Sequence, residues 1–167
     1  MLKGPLLPRG ESNMSNLCPP VFLVSLSSPE EEALCRALRV RDDQSDFIAS
    51  NAESLEQAAD SPWCEPLAIR AMQTGELVGF LMHALDPDEN SRWIYRLMID
   101  RNHQGRGYGR AALRALMAHL HTLPGGPGVA LGVDPENIGA RRLYASEGFV
   151  ETGEVIDGEL IMRRMST

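Results

Sequence analysis

Residues 104–112 read Gln-Gly-Arg-Gly-Tyr-Gly-Arg-Ala-Ala, with Gly105, Gly107 and Gly109 alternating with Arg106 and Tyr108. A glycine-rich turn that opens a helix leaves backbone N–H groups with no acceptor inside the helix. Those donors, and the positive end of the helix dipole, favour an anionic group such as a phosphate. Glycine has no Cβ, so the backbone can approach such a ligand closely. Arg106 and Arg110 add positive charge in the same place.

Several phosphate-binding patterns compete for this stretch. No G-x-x-x-x-G-K-[ST] run exists, which excludes the Walker A loop. Gly107, Gly109 and Ala112 do satisfy the dinucleotide pattern G-x-G-x-x-A. That pattern normally opens a domain with several parallel strands still to come. Here the turn follows an antiparallel-looking hairpin, and few strand-like runs remain after it. A ligand-free glycine loop is the plain alternative.

The third pattern is Gln104-x-x-Gly107-x-Gly109, directly after an apolar strand. About thirty residues later comes a Val-Ala-Leu-Gly-Val run (129–133), then Asn137, Ala140, Leu143, Tyr144 and Gly148-Phe149. Together these resemble the two halves of the acetyl-CoA site of the GNAT superfamily of N-acetyltransferases. The resemblance covers roughly residues 21–165 and is strongest from 77 to 150. It implies acetyl-CoA as cosubstrate and a primary amine as acceptor. By that resemblance, the turn of Gln104, Gly105, Arg106, Gly107, Tyr108, Gly109 and Arg110 would hold the pyrophosphate. Backbone groups of Leu97, Met98 and Ile99 would meet the pantetheine and the acetyl oxygen. Asn137 would bond the pantetheine amides, and Tyr144 would serve the departing thiolate as general acid.

The amine must also lose a proton, because an alkylammonium has a pKa near ~10. Members of the superfamily often supply a carboxylate from the strand before the glycine turn. This chain has Tyr95 there, with Arg96 beside it, so water relayed through Tyr95, Glu53 or His83 is the expectation. His83 lies on an apolar strand, where a satisfied structural histidine is the favoured reading. No metal is expected, since His103, His119 and His121 have no ligand spacing.

Local features at 47–54, 77–110 and 157–162 resemble the polyamine and diamine branch of the superfamily. Asp86, Asp88, Glu89, Asp157 and Glu159 could form a cation-attracting rim. The implied function is acetylation of a small cationic amine such as a polyamine or diamine. The alternatives are another amine (aminoglycoside, amino acid or protein N-terminus), a non-catalytic acyl-CoA-binding module, or a nicotinamide-dependent oxidoreductase. A homodimer is implied by analogy.

The elements that must position these groups follow from patterning. Ser28-Pro29-Glu30-Glu31-Glu32 starts a helix to about Leu38: a cap, proline at the first position and acids in the first turn. Residues 40–50 are ambiguous. Asn51 to Ala59 reads as a second helix with Asn51 as cap. Strands are expected at 21–26, 67–72, 77–85 and 93–100. Leu113, Leu116, Met117 and Leu120 place one apolar face on the helix after the turn. A strand at 129–133, a helix at 138–147 and a hairpin around Asp157-Gly158 close the chain. The order is β-α-α-β-β-β-α-β-α-β-β, an α/β fold with a mixed sheet. A right-handed crossover makes the strands at 93–100 and 129–133 parallel. In the superfamily those two strands splay apart around the pantetheine.

Size and charge agree with one domain. The chain has 167 residues, and its formal net charge of −7 argues against a nucleic-acid partner. Three scattered cysteines give no disulfide framework and suit a reducing, cytoplasmic setting. There is no long apolar run to span a membrane and no continuous signal-peptide core. Residues 1–20, interrupted by prolines, are expected as a flexible extension, with 21–167 as a single domain.

Overall fold

The computed structural model describes residues 18–126 and 128–165. The expected extension therefore lies outside the described residues except for 18–20. These three sit on the body: Cys18 packs against the core, and the Pro20 carbonyl accepts from Met72 N at 2.9 Å.

The elements are β1 (Val21–Ser25), α1 (Pro29–Ala37), a 3-10 helix (Asp42–Phe47), α2 (Asn51–Ala59), β2 (Cys64–Ala71), β3 (Leu77–Asp86) and β4 (Ser91–Ile99). After the glycine turn come α3 (Tyr108–His121), β5 (Gly128–Val133), α4 (Ile138–Ser146), β6 (Val150–Ile156) and β7 (Glu159–Met165). This is the expected order, with the 3-10 helix filling the ambiguous stretch. Ser28 caps α1 as read, its Oγ accepting from Glu31 N at 3.2 Å. Helix α2 corrects one expectation. Its cap is Ser50, which exchanges bonds with Glu53 in a capping box. Asn51 is instead buried, and its Nδ2 donates to the Cys35 carbonyl at 2.8 Å, tying α2 to α1.

Seven strands form one sheet in the order β1-β2-β3-β4-β5-β7-β6. Every neighbouring pair is antiparallel except β4 with β5. Helices α1 and α2 cover one face, where Cys35, Leu55, Phe80, Met82 and Met98 form a core. Helices α3 and α4 cover the other, where Leu113, Leu116 and Leu120 of α3 meet Ile69, Leu81 and Leu131 of the sheet. Each such side chain, fully buried, contributes roughly 1.5–3 kcal/mol. Strand alternation divides the two cores: Ala68, Phe80 and Met82 go one way, Leu67, Ile69 and Leu81 the other.

The feature that builds the site is where β4 and β5 stop pairing. They match for three residues only, Arg92↔Val129, Trp93↔Ala130 and Ile94↔Leu131. Beyond them β4 stays with β3 as far as Gly79↔Ile99, while β5 stays with β7 as far as Val133↔Leu160. Each strand is thus held by its outer neighbour, and the sheet opens between them. The β3–β4 register jumps from Met82↔Arg96 to His83↔Ile94, leaving Tyr95 as an extra residue. A bulge of this kind bends its strand and raises the local twist, and it falls where the two strands part. Gly79 keeps β3 close to β4 there, because a Cβ at that position would strike the Met98 carbonyl.

Candidate active site

The gap between β4 and β5 continues into a cleft of about 900 Å³. Its walls are β4 from Ile94 to Ile99, the Gly132–Asp134 end of β5, the glycine turn, the start of α4 and the 3-10 segment. From Tyr95 onward the β5-facing edge of β4 has no strand partner. Backbone groups along it are therefore available to a guest, although the Tyr95 and Ile99 carbonyls already accept from Arg96 and Gln104. Leu97, Met98 and Ile99 all line this wall, although the Met98 side chain itself points into the α1/α2 core.

At the end of β4 the chain is held firmly. The buried Asp100 carboxylate accepts from Arg39 N and Asn102 N, both at 3.0 Å. The Gln104 side-chain amide donates to the Ile99 carbonyl at 3.0 Å and to Gln44 Oε1 at 2.7 Å. Gln104 thus braces the turn against β4 and the 3-10 helix, and its side-chain donors face inward. Gly105 and Gly107 take φ of 74° and 88°, left-handed conformations that L side chains rarely adopt. Gly107 caps α3 with no side chain, and its carbonyl accepts from Ala111 N at 3.1 Å. Among the described residues no partner meets the backbone N–H groups from Gly105 to Arg110. They form the exposed donor cluster anticipated for an anion.

Gln104, Gly105, Gly107, Tyr108 and Gly109 line the cleft, whereas Arg106 and Arg110 do not. The Arg110 guanidinium donates to Glu147 and Ser146 at 2.7 and 2.8 Å, and Arg114 joins it on Glu147. This corrects the picture of Arg110 as a free cation at the turn: its charge is already matched, so anion attraction there rests on backbone N–H groups.

Asn137 and Tyr144 come to the opposite wall. Asn137 caps α4, its Oδ1 accepting from Ala140 N at 3.2 Å. Among the described residues its Nδ2 has no partner, so the same side chain can cap and still donate to a guest. Tyr144 is buried, with its ring edge-on to Phe149 at 5.9 Å between centroids. Burial, and then the Glu159 carboxylate, push its phenol up to about 12. Glu159 itself lines the cleft, occupying space that a side chain at Gly132 would take.

The expected acidic rim is largely displaced. Asp86 binds the backbone N–H groups of Asp88 and Glu89 at 2.9 and 3.2 Å, and Glu89 pairs with Arg163. Only Glu159 of the five reaches the cleft; the other carboxylates along it are Asp46, Glu53 and Asp134. Asp46 and Asp134 lie in segments whose patterning carries no cleft signal, so topology alone brings them in. Tyr95 and Glu53 line the cleft, but His83 does not, which removes it from any proton relay. Nor is His83 a satisfied histidine: it is fully buried, and neither ring nitrogen makes a hydrogen bond among the described residues. Glu53 carries the Ser50 bonds, which hold its carboxyl below the usual range.

The matched family model decides the family: that of the acetyltransferase (GNAT) family covers residues 31–149. This chain is a GNAT acetyltransferase. A spermine/spermidine N(1)-acetyltransferase of Bacillus subtilis is 36% identical over 132 residues, spanning 75% of this chain and 86% of that protein. A spermidine N-acetyltransferase of Vibrio cholerae, solved with CoA and spermine, superposes with a TM-score of 0.67 at 21% identity, over 86% of this chain and 92% of that one. The aminoglycoside acetyltransferase AAC(6')-Ib with coenzyme A gives a TM-score of 0.71 at 21% identity, over 87% and 94%. This acetyltransferase uses acetyl-CoA as its acetyl donor.

Proposed function

We propose that this acetyltransferase moves the acetyl group of acetyl-CoA to a primary amine of a small polycation, a polyamine or diamine. The observation that carries the reading is the parting of β4 from β5 after Ile94, with Tyr144 on the facing wall. The pyrophosphate sits on the N–H groups of the Gln104–Arg110 turn, those of Arg106 and Arg110 included. The pantetheine runs along Leu97, Met98 and Ile99 and takes a bond from Asn137. A backbone N–H of β4 receives the carbonyl oxygen as it gains charge, a contact of the kind that lowers a barrier by ~3 kcal/mol.

A neutral amine attacks the thioester carbon, and the C–S bond breaks as the thiolate leaves. A thiol has a pKa near ~8.5, and the Tyr144 phenol lies at about 12. Complete transfer of the phenol proton to the thiolate would be uphill by roughly 5 kcal/mol. Tyr144 therefore acts by donating a hydrogen bond to the departing sulfur rather than by giving up its proton. The proton lost by the amine leaves through water beside Tyr95 or Glu53.

The acceptor follows from charge. Asp46, Glu53, Asp134 and Glu159 outnumber Arg41 and Arg96 along the cleft, which favours a polycation, and the spermine/spermidine relative at 36% identity supports the same class. Turnover of spermidine, an aminoglycoside and a peptide N-terminus by the full chain tests this. Spermidine is expected to give the highest kcat/KM, and a peptide or aminoglycoside preference would overturn the substrate class. Glu159→Gln is expected to raise KM for spermidine about 10-fold, the cost of losing ~1.4 kcal/mol of charge pairing, with KM for acetyl-CoA unchanged.

The pH profile has a worked sign. The substrate ammonium loses its proton near ~10, so kcat/KM rises toward alkaline pH. Tyr144 stays protonated up to about 12, so it adds no descending limb below pH ~11. A descending limb near pH 10 that vanishes in Tyr144→Phe would contradict this.

Cys18, Cys35 and Cys64 are free, which supports a reducing cytoplasm as the working compartment. No helix among the described residues is long and apolar enough to cross a membrane. A homodimer is proposed from the family resemblance, and sedimentation equilibrium checks it.

A further inference from the structure

Three side chains far apart in sequence meet at the other end of α3 from the cleft. Glu65 of β2 and His83 of β3 are direct cross-strand partners, and His119 descends onto them from the last turns of α3. From Tyr108 to His119 is about 16 Å along the helix, so this cluster is separate from the acetyl-transfer site. Their nearest approaches are 3.2 Å from His83 Nε2 to Glu65 Oε2 and 3.8 Å from His119 Nε2 to Glu65 Oε1, and one ligand atom from each residue lies within 4.8 Å of the others.

We propose that Glu65, His83 and His119 form a binding site for one divalent transition-metal ion, of the kind typified by zinc. Two imidazoles and one carboxylate are a donor set that zinc uses, with bonds of ~2.0–2.2 Å. A tetrahedron of such bonds has edges of about 3.4 Å, bracketed by the two shorter separations here. The two approaches reach different oxygens of Glu65 and the remaining separation is within 4.8 Å, so closing the tetrahedron takes side-chain rotations that move ligand atoms by about 1 Å. Glu65 and His119 are each about one-third exposed while His83 is enclosed, so the cluster lies at the edge of the core.

The unmet bonding in the cluster points to a ligand. His83 is 1% exposed, yet Nδ1 and Nε2 both lack a hydrogen bond, and His119 Nε2 is likewise buried and without one. Glu65 approaches His83 Nε2 at 3.2 Å as a charged neighbour, and Nδ1 has no such neighbour. Buried polar atoms in folded proteins nearly always find a partner. The imidazole rings meet edge-to-face at 5.8 Å, so they do not bond each other. Arg92 lies near enough to oppose a cation, but its guanidinium is drawn to the Pro124 carbonyl at 2.8 Å, and Glu65 supplies the compensating negative charge. An ion here would pin the β2–β3 hairpin to the end of α3.

The test uses the full chain, freed of metal by a chelator and dialysed. Zinc is titrated by calorimetry and cobalt(II) by its visible d–d absorption, which is intense in tetrahedral sites. One ion per chain is expected, with tetrahedral cobalt bands and a thermal midpoint raised by several degrees. His119→Ala should weaken binding about 100-fold or more, beyond what loss of a supporting hydrogen bond causes. Glu65→Gln, nearly isosteric, should weaken it as well and covers the case in which His119→Ala does not fold. Acetyl-CoA binding in both variants serves as the check on folding. His121→Ala and Cys64→Ser, which alter a neighbouring histidine and a thiol outside the cluster, should bind metal as the parent chain does. Absence of saturable binding would overturn the proposal. So would binding that survives both His119→Ala and Glu65→Gln.

Discussion

Tyr144→Phe is expected to lower kcat about 100-fold while leaving KM for acetyl-CoA within about twofold. The ring stays where it is, edge-on to Phe149 and buried against the α3/α4 core, so packing and cofactor placement are kept. Only the hydroxyl is lost. A hydrogen bond to a charged partner is worth roughly 1.5–3 kcal/mol, with the upper end reached in an enclosed site, and 3 kcal/mol corresponds to about 100-fold in rate. The thiolate is charged only as it departs, so the bond acts in the transition state and shows in kcat rather than KM. Steady-state kinetics on the two proteins, with acetyl-CoA affinity measured separately by calorimetry, makes the distinction. Unchanged turnover would remove Tyr144 from the chemistry and leave it a core residue.

Gly107→Glu is expected to weaken acetyl-CoA binding at least ~100-fold without unfolding the chain. Gly107 sits at φ 88°, where any L residue is strained, and its missing Cβ faces Pro19 Cδ at 3.2 Å. The left-handed conformation alone costs ~1–2 kcal/mol. That strain falls on stability, in the free and bound states alike; the binding loss comes from the carboxylate, which occupies and repels the place of a pyrophosphate and removes about 3 kcal/mol of charge-assisted bonding, or 100-fold in affinity. Gly109→Ala is the matched control. Gly109 lies in the first turn of α3 at ordinary helical φ, and an added methyl would meet Leu143 and Ile99 at 3.6 and 3.8 Å, normal contact distances. It should bind acetyl-CoA nearly as the parent does. No loss in Gly107→Glu would move the anion site away from this turn, and an equal loss in Gly109→Ala would trace the effect to the turn's backbone space rather than to the added charge. Circular dichroism and thermal melts separate a binding defect from a folding one.

Much of the fold was legible because its signals are local. The cap at Ser28, the proline at the first position of α1 and the apolar stripe Leu113, Leu116, Leu120 depend only on near neighbours, and they placed α1 and α3 correctly. The range of α2 was read as observed, but its cap was placed one residue late because Ser50 and Asn51 are both good caps. Which of them caps was decided by the pull of Cys35 on the Asn51 amide, a contact across 16 residues. The glycine turn was readable for the same local reason: positive φ at Gly105 and Gly107 needs glycine, whatever surrounds it.

The charged groups were harder to read, since a charge's role depends on its partners. Arg110 looked like a free cation until Glu147, 37 residues on, was found against it. Asp86 and Glu89 looked like a rim until their bonds turned out to be local turn contacts and a pair with Arg163. His83 looked satisfied because most buried histidines are; its unpartnered nitrogens appear only when β2, β3 and α3 are assembled.

By itself, then, the sequence determined the succession of elements, the glycine conformations at the head of α3 and the two motifs that mark a GNAT acetyltransferase, all of them set by interactions within a few residues. Tertiary structure alone decided where β4 leaves β5, which carboxylates line the resulting cleft, and the meeting of Glu65, His83 and His119. Strand separation depends on the competing hold of β3 and β7, and clefts and ligand clusters depend on which surfaces the sheet order brings together. Both are properties of contacts between distant segments, which no local pattern of residues encodes.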